Sequence, residues 1–187
     1  VPQLNEPDLL IMETTRGADE RPTNYTRADQ EKLLAKGIRN AIEAGGSALI
    51  PVFAIGKTQE VLTMIDNFKT EGLIPDQTPV FMGGLSTKMT MIYDSFSGST
   101  RRHRPNFEIL RDMKVHTGNK RRRAPIEYKP GAIYCLSSGM MSEKTTSNIF
   151  ARSFLQNPAN SLLFVGYAEP TTPAGVIKKA SSGDVIR

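Results

Sequence analysis

Five short stretches of this 187-residue sequence group side chains whose types and spacing could do chemistry: Glu13 to Gly17, Ala54 to Thr58, Gly83 to Lys88, Ser137 to Met140, and Gly166 to Thr172. Four of them set glycine beside serine or threonine just before or at an expected helix start, and two add a lysine. Glycine lets backbone N–H groups approach an anion closely, a helix N-terminus favours negative charge, and hydroxyl or ammonium groups complete such a cradle. Phosphate binding is the chemistry this composition suits. Lys57, Thr58, Ser86, Lys88, Ser137, Ser138, Gly139, Met140 and Thr172 are the candidate contacts. Glycine and serine are also ordinary connectors between strands and helices, so any one stretch taken alone has a purely structural reading.

Other chemistries fit less well. Pro51 to Thr58 differs at one position from the Gly-x-x-x-x-Gly-Lys-Ser/Thr nucleotide loop, but Pro51 stands where the first glycine is needed. Proline lacks the N–H and fixes φ, and the residues before Gly56 read as a strand rather than a loop. The two histidines, His103 and His116, have no cysteine pair and no metal-type spacing, so no self-contained zinc site is expected. No Gly-x-Ser-x-Gly elbow is present for a serine nucleophile. The single cysteine, Cys135, excludes an intrachain disulfide and reads as a small buried hydrophobe on a strand.

The elements that must position these residues follow from the apolar pattern. Residues 8–13, 48–53, 79–82, 132–136 and 161–165 are continuous apolar runs of strand length. Helices are expected between most of them. One is capped by Thr26, with the apolar stripe Leu34, Ile38, Ala41 and Ile42, and stopped by Gly45-Gly46. Others open at Gly56, at Thr87 and near Glu143, and a last one runs from Thr172 to Lys179. Continuous runs alternating with helices predict an α/β three-layer sandwich with a mostly parallel, Rossmann-like sheet. In such a sheet ligands gather at the carboxyl ends of the strands, where the five stretches fall.

Length and composition suit one globular domain of a soluble class, with 39% apolar and 23% charged residues. No apolar run is long enough to span a bilayer and no signal-peptide pattern opens the chain, so a cytoplasmic setting and no membrane partner are expected. The chain lacks an initiator Met and opens and closes beside apparent strands, which suggests one domain, residues 1–187, of a larger protein. Net charge is +5, and residues 97–130 form a basic segment expected to be irregular. Arg101, Arg102, Arg104, Lys114 and Lys120 to Arg123 are either a solvated surface or a non-specific phosphate contact.

The strand-end motifs resemble those of the β-CASP domain found inserted in metallo-β-lactamase-fold nucleases. Glu13-Thr14-Thr15-Arg16-Gly17 is similar to the family's Glu-Ser-Thr-Tyr-Gly. Pro51 to Glu60 is similar to Pro-x-Phe-Ala-x-Gly-Arg-x-Gln-Glu, and Ser138 to Met141 and Gly166 to Thr172 match its later elements in order. The resemblance implies a nucleic-acid-gripping domain of a zinc-dependent RNA-processing nuclease. The expected partners are single-stranded RNA and the metallo-β-lactamase domain of the same protein. It implies two zinc ions in the intact enzyme, none held by this chain. Glu13 would be the catalytic residue here, orienting a histidine that acts as general acid. Lys57 for arginine, Arg16 for tyrosine and the altered run after Tyr167 suggest a divergent branch, expected to be bacterial in type. A non-catalytic RNA-binding module is the alternative.

Overall fold

The computed structural model describes residues 7–14, 17, 18, 20, 22, 23, 25–118, 126–181 and 184–186. Among them the chain forms α1 (Arg27–Glu43), β1 (Ala48–Pro51), α2 (Lys57–Thr70), β2 (Val80–Gly83), α3 (Leu85–Ser95) and α4 (Ile109–Asp112). It continues through β3 (His116–Thr117), β4 (Ile133–Leu136), α5 (Thr146–Phe154), β5 (Ser161–Leu162) and α6 (Pro173–Lys179). The strands lie in the order β3-β2-β4-β1-β5 and every pairing is parallel.

A parallel strand covered on both faces has no polar side, which is why β1 and β4 read as unbroken apolar runs. All four side chains of β4 are buried. Ile133 and Cys135 turn to a core packed by Ile38, Leu62, Ile65 and Ile109, from α1, α2 and α4. Tyr134 and Leu136 turn to a second core with Phe150 and Phe154 of α5 and Ala174 of α6. This is the expected helix–sheet–helix sandwich. Burial pushes the Cys135 thiol up to about 12, so it stays protonated and serves as a core hydrophobe. Tyr134 is fully buried, with its ring 5.0 Å from Phe81 and 4.5 Å from Phe150. Its hydroxyl accepts from the Lys129 amide at 2.6 Å and donates to the Lys129 carbonyl at 3.1 Å, which meets the demand of a polar atom in a core.

Helix α1 starts where the spacing predicts. The Asp29 amide donates to Thr26 Oγ1 at 3.1 Å, and Thr26 donates in turn to the Asp29 carboxylate at 2.5 Å. It ends as Gly45 takes φ 76°, the left-handed conformation that stops a helix most cheaply at glycine.

Other expectations need correction. Residues 8–13 form no strand, and Leu9 and Ile11 are 76% and 86% exposed. An apolar run carries the same signal whether or not this chain supplies a paired edge for it, and here none of the sheet's ladders includes it. Strand β1 stops at Pro51, before Phe53, and the 161–165 run is a strand only at Ser161–Leu162. Helix α3 opens at Leu85 rather than Thr87. Helix α5 begins at Thr146 rather than Glu143, because Lys144 holds φ 62°, which no right-handed helix admits.

The segment 97–130 is less irregular than expected, since it carries α4 and the edge strand β3. Its arginines are partly structural. The Arg102 guanidinium lies 3.9 Å from the Tyr93 ring centroid and donates to the Tyr93 and Phe107 carbonyls. Arg104 covers the Phe107 ring at 3.6 Å and pairs with Asp66. Lys120 to Arg123 lie outside the described residues. Asp94, buried on α3, accepts from the Ile109 and Leu110 amides at 3.0 and 2.9 Å and so caps α4. Two hydrogen bonds to a charged acceptor make Asp94→Ala cost about 2 kcal/mol. The urea midpoint should fall with an unchanged m value, and Asp94→Asn should fall less.

Candidate functional site

The register aligns Pro51 and Gly83 on either side of Leu136. The connections after β1, β2 and β4 therefore leave the sheet at one level. The β1 connection enters α2 on one face and the β4 connection enters α5 on the other, as their separate cores show. Neighbouring strands whose connections part in this way define the switch point at which ligands bind in open parallel sheets.

Three helices begin at this edge without a side-chain cap. Gly56 and Gly84, the N-caps of α2 and α3, both have φ 75°. That left-handed backbone suits glycine, and glycine has no oxygen to offer the amides of the first turn. At Gly84 an added Cβ would also lie 2.5 Å from Ser137 Oγ. Helix α5 follows Thr145, whose hydroxyl makes no capping bond and donates to the Ser142 carbonyl at 2.6 Å instead. Helices α1 and α6, in contrast, are capped by Thr26 and Thr172. Backbone carbonyls do part of that work: at α2 the Lys57 and Thr58 amides donate to Ile55 and Phe53 at 2.9 and 3.1 Å, and at α5 the Ser147 amide donates to Ser137 at 3.0 Å.

The hydroxyls expected as ligands are bonded within the chain. Thr58 Oγ1 donates to the Phe53 carbonyl at 2.6 Å and lies 3.0 Å from Ser86 Oγ, and both side chains are buried. Ser137, also buried, donates to the Gly83 carbonyl at 3.3 Å. Burial sets these three hydroxyls inside the wall, where they tie one strand end to the next, rather than on its surface. Ser138 Oγ accepts from the Ser142 amide at 3.3 Å, and its carbonyl accepts from Ser147 Oγ at 2.7 Å. Gly139 lies flat on Phe53, where a Cβ would come within 3.1 Å of the ring. Met140 sulfur accepts from the Glu169 amide at 3.4 Å, joining this loop to the one after β5, and the Thr172 hydroxyl donates to the Glu169 carbonyl at 2.6 Å.

Lys88 is exposed on α3. Lys57 is not a lone cation. Its ammonium donates to Glu60 at 2.6 Å, the other Glu60 oxygen meets Arg27 at 2.8 Å, and Arg27 meets Glu31 at 2.6 Å. Burial works to raise the Glu60 carboxyl, but the bonds from Lys57 and Arg27 outweigh it and hold the group below the usual carboxylate range. The Lys57–Glu60 spacing of three residues was visible as a helical pair. Arg27 comes from a different helix, and no local pattern points to it. Glu13 sits in the exposed stretch 7–14, without regular structure, and its motif neighbours Thr15 and Arg16 lie outside the described residues.

Pro51, Phe53, Lys57, Gly139, Phe164 and Tyr167 enclose a crevice of only about 10 Å³. It opens beside a groove of about 570 Å³ along α1, α2 and the β5 edge, and Lys57 and Tyr167 line both. Among the described residues no three histidine, cysteine, aspartate or glutamate side chains come together as a metal ion requires, so these residues do not fit the two zinc ions that the resemblance implies. No helix among them is long and apolar enough to cross a membrane.

A family model described as the Beta-Casp domain matches residues 58–177. A relative from Methanothermobacter thermautotrophicus, Transcription termination factor FttA, is 32% identical over 86% of this chain and 26% of its own length. An RNase J-like protein from Methanocaldococcus jannaschii is 29% identical over 88% of this chain and 38% of its own length. Cleavage and polyadenylation specificity factor 73 of Drosophila melanogaster is 26% identical over 92% of this chain and 25% of its own length. The chain thus spans well under half of each of these relatives. They are archaeal and eukaryotic, and so lend no support to a bacterial-type branch.

The Glu60 network has a pH signature. A carboxyl whose folded pKa lies below its unfolded one stabilises the fold above about pH 4.3 and loses that contribution as pH falls through the folded value. Glu60→Gln should lower stability at pH 7 by about 0.5 kcal/mol, a figure already reduced for solvent screening. Urea midpoints of the two proteins should converge in acid below the ordinary glutamate range.

Proposed function

Because the chain belongs to the Beta-Casp domain family, we propose that it is the nucleic-acid-gripping domain of an RNA-processing nuclease, with the phosphodiester hydrolysed by the intact protein rather than by this chain. The observation that carries this reading is the opening of three helices, α2, α3 and α5, from strand-end loops at the carboxyl edge of one parallel sheet, with Lys88 exposed beside them. Amide donors at helix starts hold phosphate oxygens without reading bases, which suits a grip on the backbone of a single strand. Exposed Lys88 adds charge at the same edge, beside Lys57 and its Glu60 partner. The relatives' names, which include an RNase J-like protein and a polyadenylation factor, point the same way.

The zinc ions and the metallo-β-lactamase domain that would complete such an enzyme are part of the proposal, and both belong outside this chain. In that assembly Glu13 would orient a histidine of the neighbouring domain as general acid. Glu13 lies in the exposed stretch 7–14.

The chain should bind single-stranded RNA weakly and with a strong salt dependence, since each phosphate contact releases condensed counterions. Fluorescence anisotropy across a salt series should show the affinity falling steeply. Lys57→Ala with Lys88→Ala should weaken it and shorten the slope by about one to two contacts. An affinity indifferent to salt and to both substitutions contradicts the reading. The same preparation should show no EDTA-sensitive cleavage of the RNA it binds.

A further inference from the structure

Resting on that reading, the geometry points to Tyr167 as a stacking seat for one nucleobase of the bound strand. Tyr167 follows β5 at the mouth of the strand-end crevice, and its side chain is 65% exposed. An aromatic ring left this open at a switch point offers a flat apolar surface that nothing in the described chain covers. The ring is also tethered, because its hydroxyl donates to Glu169 at 2.5 Å. That contact fixes the direction of the ring and lowers the entropy lost when a planar partner lies on it. Glu169 is in turn held through its amide by Met140, within the loop that ends β4.

The neighbours suit a nucleotide rather than a bare anion. Lys57, paired with Glu60, lines the same crevice, while Phe53, 43% exposed, provides a second aromatic edge. At about 10 Å³ the crevice barely holds a water molecule, so a base cannot enter it, and the tyrosine ring at its mouth faces the larger groove that can admit one. Such a seat accepts any base, because every base has a π-face, and it favours the larger purines. It adds contact to the base where the helix N-termini contact only the backbone.

The test compares labelled strands of about eight nucleotides, a length within the range of known single-strand sites: adenine-bearing, uracil-bearing, and an abasic ribose-phosphate of equal charge. The wild-type chain should prefer adenine over uracil and bind the abasic strand least. Tyr167→Ala should lose about tenfold on the adenine strand and nothing on the abasic one. Tyr167→Phe, which keeps the ring and drops the hydroxyl, should retain most of the preference. Far-UV circular dichroism establishes that each variant is folded. An alanine variant that binds adenine strands as tightly as wild type overturns the inference, as does one that loses equally on the abasic strand. Failure of the wild-type chain to bind any of the three strands overturns the gripping function and the stacking seat together.

Discussion

Strand β4 is the constraint on which the rest depends. Its four side chains, Ile133 to Leu136, meet no solvent on either face, and its backbone is laddered on both edges, to β1 and to β2. A one-residue slip would exchange the two cores, driving Tyr134 with its hydroxyl into the aliphatic side and Ile133 into the aromatic one. The register is therefore set by side-chain packing, and the register in turn brings Pro51, Gly83 and Leu136 to one level. The convergence of the strand-end loops follows from the packing of the core beneath them. The hydroxyls of Thr58, Ser86 and Ser137 keep those loops in place once the strands have delivered them.

Much of this was legible in the sequence, for reasons that can be named. The strands of the sheet interior and the α1 cap are local signals, carried by continuous apolar runs and by a Thr-x-x-Asp spacing, and they appear where the pattern puts them. The run at 8–13 misled because apolarity reports a need for cover without saying where the cover lies. Strand β3 was invisible, since His116 and Thr117 are exposed and a two-residue edge strand has no periodicity to read. The early start given to α5 failed on Lys144, whose left-handed backbone belongs to a residue type that rarely signals such a turn.

The candidate site was legible in place but not in detail. Sequence could bring glycine, serine, threonine and lysine to one edge, because strand ends are countable. It could not tell a hydroxyl that faces a ligand from one that faces the next loop, because that depends on which of two strand ends stands closer. The ion pairs of Lys57 show the same division. Its partner Glu60 lies within one helical turn, whereas Arg27, which shares that carboxylate, is brought by the packing of α1 on α2.

Gly56 and Gly84 have one further consequence. Their left-handed backbone exits the strand, and a residue with no side chain occupies the position from which a helix is normally capped. The polarity at that edge is then written in the peptide units and not in any ionisable group. Amide dipoles gain and lose no protons over the range in which the fold persists, and no exchange of one side chain for another erases them. The polarity of that edge is therefore insensitive to acidity. The side chains around it can vary, whereas Gly84 cannot, since an added Cβ there would lie 2.5 Å from Ser137 Oγ.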